Sequence, residues 1–258
     1  MVPAASADTP FLWPHGARAA VSLAYDDALD SQLDTALPAL DKVGLKATFY
    51  LTLGAATVQR RMADWRAAAA NGHELANHTL FHACSRTAPD RSWVTADTDL
   101  DHVSATQLVA QIRLGNTLLQ ALDGRRERTF TAPCGDLLAA GVNYLDLIRP
   151  DFVAIKAGLG GAVADMASLD IHAVNVVAPV NASGAQLIAL VQSAARLGTL
   201  ANITFHGVGG DYLSVSQQAH DELLAHLATY RGLYWTDTFI NVMKHVKAQR
   251  AATALATP

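Results

Sequence analysis

Residues 19–51 decide the fold class, and they read AAVSLAYDDALDSQLDTALPALDKVGLKATFYL. The stretch begins with an apolar run that ends at two acids, Asp26 and Asp27. A helical pattern follows, and Gly44 stands where a helix commonly ends in a left-handed residue. The last five residues are rich in β-branched and aromatic side chains, which predicts a second strand. This order predicts a β-α-β unit with parallel strands.

Short apolar runs alternate with longer helical patterns along the rest of the chain. The predicted strands cover residues 19–25, 47–51, 74–77, 129–131, 152–155, 171–177, 201–205 and 233–236. The predicted helices cover residues 58–70, 104–122, 186–197 and 214–230, with one helix closing over 38–43 and another beginning at 237. This order predicts a single α/β domain. Seven or eight units favour a barrel, and periodicity alone leaves an open sheet as the alternative.

The composition excludes several classes of protein. The 258 residues are 51% hydrophobic and 16% charged, which excludes a disordered chain. The formal net charge of -4 is not that of a nucleic-acid-binding protein. No apolar run reaches the roughly 18–20 residues that a membrane span needs. The two cysteines exclude a disulfide framework and leave one bridge open, and nothing in the sequence indicates an oligomeric state.

The first residues bear on the destination of the protein. Ala5-Ser6-Ala7 matches the small-residue pattern that precedes the cleavage point of a secretory signal. The basic and apolar regions of such a signal do not precede it, so we expect a leader trimmed close to the mature N-terminus. This favours a secreted or periplasmic protein, and a chance match in an alanine-rich end is the alternative.

Polar residues that follow predicted strands are candidates for the functional site, because sites in parallel α/β folds lie at the carboxyl ends of strands. Asp26 and Asp27 follow the first strand. Two adjacent carboxylates repel each other unless something offsets their charge, most simply a metal ion. The alternative is that one of them caps the next helix.

Two histidines follow the third strand in the sequence His78-Thr79-Leu80-Phe81-His82. A pair at i and i+4 lies on one face of a helical turn, which is a common spacing of metal ligands. Together with Asp27, the pair makes a three-ligand site with an open position for water, as catalytic zinc requires. Taken alone, the pair is better explained by one buried and one surface histidine.

Two further positions complete the candidate set. His206 ends the predicted strand at 201–205, and a histidine there can serve as a general acid or as an ordinary structural residue. Residues 130–135, FTAPCG, predict a shaped turn whose N–H groups point into a site, or a simple turn that ends a strand. Residues 84–102 are polar and carry Trp93, and a long loop of this kind is often functional.

In this order the four positions resemble the polysaccharide deacetylases, the family of the NodB homology domain and carbohydrate esterase family 4. Residues 25–27, YDD, are similar to the first motif of that family. Residues 72–82, GHELANHTLFH, are similar to the second motif and form the most specific match. Residues 130–135 occupy the place of the third motif, and residues 203–206, ITFH, are similar to the last. The spacing of these motifs agrees with that of the family over residues 13–246.

The resemblance implies a distorted barrel of seven or eight β/α units in a catalytic domain at residues 12–247, with flexible termini at 1–11 and 248–258. It implies that Asp27, His78 and His82 hold one divalent metal ion, usually zinc. Such an ion lowers the pKa of a water to about 7. The implied substrate is an N- or O-acetylated oligo- or polysaccharide, which loses acetate.

The resemblance also assigns the proton transfers. Asp26 would be the general base that deprotonates the attacking water, and His206 would protonate the leaving nitrogen or oxygen. The backbone N–H of Cys134 occupies the position of the oxyanion donor.

Two departures from the family pattern set this chain apart. Thr131 stands where the third motif usually carries an arginine that pairs with the catalytic aspartate, and Cys134 stands where an aromatic residue is usual. No clear match exists for the aspartate that orients the catalytic histidine, and Asp151, Asp165 and Asp170 are candidates by position only. We therefore expect an active enzyme with altered surroundings of its catalytic residues.

Three functions compete at this point. The first is a metal-dependent deacetylase of a carbohydrate, with Trp93 and Trp13 as candidates for stacking on a sugar ring. The second is a hydrolase of a small amide or cyclic imide, since relatives of this fold cleave such bonds. The third is a catalytically weak carbohydrate-binding member that has lost its arginine.

The two cysteines belong to the same mouth of the implied barrel. Cys84 comes two residues after the implied ligand His82, and Cys134 lies in the turn that would face the same metal ion. One hypothesis is a disulfide that fixes the backbone of Cys134. The alternatives are two free, partly buried thiols or a metal–thiolate bond.

Overall fold

The protein is described here by a computed structural model that covers residues 11–256. The strands are β1 Ala19–Asp26, β2 Thr48–Leu51, β3 Glu74–Asn77, β4 Thr129–Thr131, β5 Leu138–Ala139, β6 Val142–Asn143, β7 Ala154–Leu159, β8 Val174–Val176, β9 Leu200–Phe205 and β10 Tyr234–Thr236. The helices are α1 Leu37–Lys42, α2 Ala56–Arg60, α3 Met62–Ala70, α4 Ala105–Asp123, α5 Leu145–Ile148, α6 Gly184–Leu197, α7 Gln217–Thr229 and α8 Phe239–Ala256. A π-helical segment, Gln32–Ala36, leads directly into α1.

Seven parallel strands form a nearly closed barrel in the order β8-β7-β4-β3-β2-β1-β9. Val177, just past β8, bridges Ile203 of β9 and brings the two ends of the sheet together. Beyond β9 in the chain, β10 pairs with the first three residues of β1. The prediction of a distorted barrel is confirmed, and the open-sheet alternative is wrong.

β1 is buried at all eight positions because the barrel interior covers one face and helices cover the other. On the outer face the rings of Tyr25, Phe49 and Phe205 stack, with centroids 5.0 and 5.5 Å from that of Tyr25. These rings come from three adjacent strands, β1, β2 and β9. The stack therefore fixes the carboxyl end of β1, where the two aspartates begin.

Some elements differ from the sequence predictions. The helix predicted at 58–70 is interrupted at Arg61, whose φ of -118° and ψ of 31° separate α2 from α3. The hairpin of β5 and β6 and the one-turn helix α5 are absent from the prediction, because elements of two to four residues carry no readable periodicity.

The ends of the chain leave part of the prediction untested. The Ala5-Ser6-Ala7 pattern, most of the predicted flexible segment 1–11 and residues 257–258 lie outside the described residues. α8 continues to Ala256, past the expected limit at 247, and the domain limits 12 and 247 stay a prediction. Within residues 11–256 we find no helix with the length and apolarity needed to cross a membrane.

Candidate metal and catalytic site

The two aspartates stand at the carboxyl end of β1. Asp26 is the last residue of the strand, and the N–H of Asp27 donates to the Tyr50 carbonyl at 3.1 Å. Asp27 and Ala28 then have φ values of 81° and 60°, in the left-handed region that residues other than glycine rarely occupy. Such backbone strain occurs mainly where a side chain must be held in a functional orientation. Both carboxylates are buried.

The two histidines lie on a loop after β3 and not on a helical turn, so that part of the prediction is wrong. Thr79 and His82 have φ values of 65° and 53°, which no helical turn allows. The Thr79 hydroxyl accepts a hydrogen bond from the His82 N–H at 3.0 Å and closes the loop. This turn, and not an i, i+4 helix face, brings the rings of His78 and His82 to 4.8 Å.

Asn77 anchors this loop to the helical layer. Its side-chain oxygen accepts from the Thr79 N–H at 2.8 Å, and its amide nitrogen donates to the Ile112 carbonyl of α4 at 2.8 Å. A Cβ on Gly115 of α4 would lie 2.9 Å from that nitrogen. Gly115 therefore leaves the space that Asn77 needs, and the metal-ligand loop is fixed by a buried amide.

Asp27, His78 and His82 converge on one point. Asp27 Oδ1 lies 3.3 Å from His78 Nε2 and 3.2 Å from His82 Nε2. This Oδ1 is buried and has no well-formed hydrogen bond with any residue between 11 and 256. His78 Nδ1 donates to the Thr131 carbonyl at 2.9 Å, which leaves Nε2 with a lone pair for a metal ion.

The charged groups of the cluster act strongly on one another. Burial lowers the pKa of His78, but its hydrogen bond with Asp27 and the charges of Asp26 and Asp27 raise this pKa above its usual value, so a metal ion at Nε2 would replace a proton there. Burial raises the pKa of Asp27, but contact with His78 and the nearby His82 and His206 outweigh burial and hold this pKa well below its usual range. Burial, with the charge of His78 next, lowers the pKa of His82 to about 4. A carboxylate beside a neutral imidazole and a second, oriented imidazole is the donor set of a catalytic divalent metal ion, so the residues fit the implied ion.

The two implied proton-transfer residues flank this cluster. Asp26 precedes Asp27 in the chain, and His206 Nε2 lies 3.8 Å from Asp27 Oδ2. Tyr212 donates its hydroxyl hydrogen to the same Oδ2 at 2.9 Å. The structure thus brings together all five side chains that the sequence suggested, one pair from the carboxyl end of β1, one pair from the loop after β3 and one residue directly after β9.

The third-motif turn lies against the metal-ligand loop. Cys134 sits in a short 3₁₀ turn, Pro133–Gly135, with a φ of 59°. It forms a disulfide with Cys84, with a Cα–Cα distance of 6.0 Å, so of the alternatives left open the bridged one is observed. The sulfurs lie beside the His82 ring, with Cys84 Sγ 3.5 Å from its Nδ1. Because the sulfurs are paired with each other, the metal–thiolate alternative is wrong.

Trp93 lies at the rim of the site on the polar loop 84–102. Its ring centroid is 6.3 Å from that of His82, and the residue is 55% exposed. Arg91 reaches from the same loop to Asp136, which also accepts from the Ser85 N–H at 2.8 Å. The loop is therefore tied down beside the metal-ligand cluster. Trp13, the other candidate for stacking on a sugar, is a buried core residue.

None of the three candidate aspartates orients His206. Asp151 pairs with Arg113 and Asp170 pairs with Arg149, each at 2.9 Å. Asp165 accepts hydrogen bonds within its own loop. All three positions are therefore wrong for this role, and in the described part of the chain the carboxylate paired with His206 is Asp27.

Two site residues escaped the sequence reasoning. Tyr212 follows His206 within a glycine-rich segment, and this closeness to a candidate residue was the available signal. Lys156 lies on β7, where it is buried, and its Nζ is 3.6 Å from Asp26 Oδ1. The available signal was a single lysine that directly follows the predicted apolar strand 152–155. Because lysine is almost never buried without a partner, a lysine at such a position indicates a buried acidic partner.

The sequence profile of the polysaccharide deacetylases matches residues 15–147. The chain belongs to the polysaccharide deacetylase family. Family membership supports carbohydrate deacetylase activity, and the family includes members that are pseudoenzymes. Comparison with curated proteins finds no match.

Solved structures of polysaccharide deacetylases share the fold. A peptidoglycan deacetylase from Bacillus subtilis is 21% identical with a TM-score of 0.55, and the alignment covers 92% of this chain and 95% of that one. A Mycobacterium smegmatis protein assigned to the polysaccharide deacetylases is 16% identical with a TM-score of 0.61, covering 93% and 94%. A family 4 pseudoenzyme from Bacillus anthracis is 16% identical with a TM-score of 0.53, covering 87% and 65%.

Proposed function

We propose that this polysaccharide deacetylase is a metal-dependent hydrolase that removes acetyl groups from an N- or O-acetylated carbohydrate. The observation that carries the proposal is that His78 Nε2 and His82 Nε2 lie 3.3 and 3.2 Å from one buried carboxylate oxygen of Asp27, which has no well-formed hydrogen bond within the described residues. Asp26 precedes Asp27 in the chain, and His206 Nε2 lies 3.8 Å from Asp27 Oδ2, so a candidate base and a candidate acid are available beside this oxygen. The loss of the family's arginine therefore leaves the chemistry-bearing groups in place.

Asp27, His78 and His82 would hold a divalent ion, most simply Zn²⁺, which would polarise the acetyl carbonyl as a Lewis acid and lower the pKa of water to about 7. Asp26 accepts the proton of the attacking water. The Cys134 N–H, in the turn beside His82, donates to the carbonyl oxygen as negative charge develops on it. His206 then protonates the leaving nitrogen or oxygen, and acetate and the deacetylated sugar are released.

The exposed ring of Trp93 supports a carbohydrate as substrate. A sugar ring can stack on an exposed indole, and this indole lies one ring contact away from the ligand His82. A substrate with several sugar units would contact Trp93 while its acetyl group reaches the cluster.

The disulfide supports a secreted or periplasmic location as part of the proposal. Structural disulfides persist in oxidising compartments and are rare in the cytosol. Cys84 and Cys134 are bridged beside the site, and the described chain has no free cysteine.

Hydrolysis of a panel of substrates tests the proposal, measured as acetate release from the acetylated compounds and as ring opening of the cyclic imide. The panel holds N-acetylglucosamine oligomers, acetylated xylan, a small acetyl ester and a cyclic imide. Asp26→Asn should keep its metal content and lose about 10²–10⁴-fold in turnover, because proton transfer contributes this much. Asp30→Asn is the matched control, since Asp30 pairs with Arg60 and Arg61 outside the site.

Each outcome points to one function. Release from an acetylated carbohydrate that is lost in Asp26→Asn supports the proposal. Cleavage of the imide alone would favour the small-amide hydrolase. Binding of oligosaccharide without release of acetate would favour the carbohydrate-binding alternative. A fully active Asp26→Asn would remove Asp26 from the mechanism.

A further inference from the structure

Lys156 is a cation buried within the barrel. Its residue exposure is 1%, and burial of an unpaired ammonium is costly. Its Nζ lies 3.6 Å from Asp26 Oδ1 and 4.2 Å from the centre of the Tyr50 ring, and it donates to the Thr204 hydroxyl. The ammonium is thus held on several sides by groups from β1, β2 and β9.

The partner of Lys156 is the proposed general base. Asp26 Oδ1 is buried and makes no hydrogen bond to the residues described, and its ion pair in this part of the chain is the one with Lys156. The other buried acid that acts on Lys156 is Glu74, which already accepts from Thr48 and Thr129 at 2.8 and 2.5 Å. Lys156 is therefore free to serve Asp26.

The register of the sheet places Lys156 beside Thr131, the position at which the family usually carries an arginine. Thr131 of β4 and Lys156 of β7 are direct neighbours in the parallel register. Side chains at paired positions of adjacent strands point to the same side of a sheet. A long cationic side chain at either position enters the same part of the barrel interior.

We propose that Lys156 is a positioning residue for the reaction, which holds Asp26 through one carboxylate oxygen and leaves the other oxygen to accept the proton of the attacking water. Lys156 thereby does from β7 what a cation at position 131 would do from β4. Its contact with Thr204, two residues before His206, also ties the strand of the base to the strand of the acid. This inference rests on the proposed function.

The test uses Lys156→Met, Thr131→Arg and the double variant Lys156→Met/Thr131→Arg in the full chain. Lys156→Met should lower kcat about 10²-fold, because a misplaced catalytic group costs about that much, while KM and metal content stay unchanged. The double variant should recover most of the lost kcat. Lys244→Met is the matched control, since Lys244 pairs with Glu127 on the surface.

A second comparison keeps the test valid if Lys156→Met folds poorly. Asp26→Asn/Lys156→Met removes both partners and leaves no buried unpaired charge, so it should fold. Because Lys156 acts through Asp26, the double variant should be no slower than Asp26→Asn alone. A further loss of the same size as in the wild-type background would overturn the inference.

The remaining outcomes separate this inference from the proposed function. A wild type that releases acetate while Lys156→Met is equally fast overturns only the role of Lys156. Another outcome is a Lys156→Met variant that folds, binds metal and has a low kcat that Thr131→Arg does not restore. This result overturns the proposed equivalence of positions 156 and 131. A wild type that releases acetate from no substrate overturns the proposed function and, with it, the role of Lys156 in turnover.

Discussion

Removing the Cys84–Cys134 disulfide should destabilise the protein by about 4 kcal/mol. The bridge closes a loop with a sequence separation of 50 residues. In the chain-entropy model, closing a loop of this length lowers the entropy of the unfolded chain by about 14 cal/mol/K, which is about 4 kcal/mol at room temperature. A domain of this size shifts by about 2–4 °C per kcal/mol, so Tm should fall by roughly 8–16 °C.

The perturbation is the double substitution Cys84→Ser/Cys134→Ser, and the assay is equilibrium unfolding in guanidinium chloride. A chelator is present throughout, because bound metal would stabilise the folded state by itself. Reduction of the wild type should reproduce the stability of the double variant, whereas reductant should not change the variant. Unfolded, unreduced wild type from an oxidising compartment should show no titratable thiol.

The loss should also reach the metal site. Thr131, three residues before Cys134, accepts the hydrogen bond that orients His78, and Cys84 lies beside His82. We expect metal affinity to fall about tenfold or more, as it does when groups that orient metal ligands are lost. An unchanged unfolding midpoint, or two titratable thiols in the wild type, would refute this reasoning.

Three further predictions concern single side chains. His78→Ala should abolish both metal content and turnover, and full metal by elemental analysis would show that the ligand set is wrong. Trp93→Ala should raise KM for acetylated oligosaccharides about tenfold and leave hydrolysis of a small acetyl ester unchanged, since only the longer substrate reaches the indole; equal effects on both would contradict the stacking role. Burial lowers the pKa of His220 to about 4, whereas the unfolded chain takes up this proton below about pH 6.5, so stability is lost as pH falls through this window. Urea unfolding between pH 7 and pH 4.5 should show a loss in the wild type that exceeds the loss in His220→Gln by about 2–3 kcal/mol, and equal losses would show that His220 is not the cause.

The candidate catalytic residues could be predicted from the order of residues along the chain. Asp27, His78, His82 and His206 each follow a predicted strand, and parallel strands end at the same edge. Since chain order and strand direction settle this convergence, the candidate cluster of Asp27, His78 and His82 could be named before the fold was known. The alternation of strands and helices likewise determined the α/β class, because both periods are local properties of the sequence.

Other features were decided by the tertiary structure alone. The loop that holds His78 and His82 depends on Asn77 meeting α4, and a four-residue spacing cannot distinguish this loop from a helical turn. The closure of the barrel depends on Val177 reaching Ile203 across the ends of the sheet. The three possibilities for the cysteines were separated only by the folded structure, in which Cys84 and Cys134 form a disulfide.

Lys156 shows the physical reason for this division. The local sequence encodes the periodicity of a helix or strand and the chemistry of each side chain. From the local sequence alone, Lys156 is only a lysine directly after a predicted strand. The proposed role of Lys156 depends on the register between β4 and β7 and on the curvature of the sheet, which brings Lys156 Nζ to 3.6 Å from Asp26 Oδ1. Both are properties of strands brought together from distant parts of the chain, so only the folded barrel decides which acid this lysine serves.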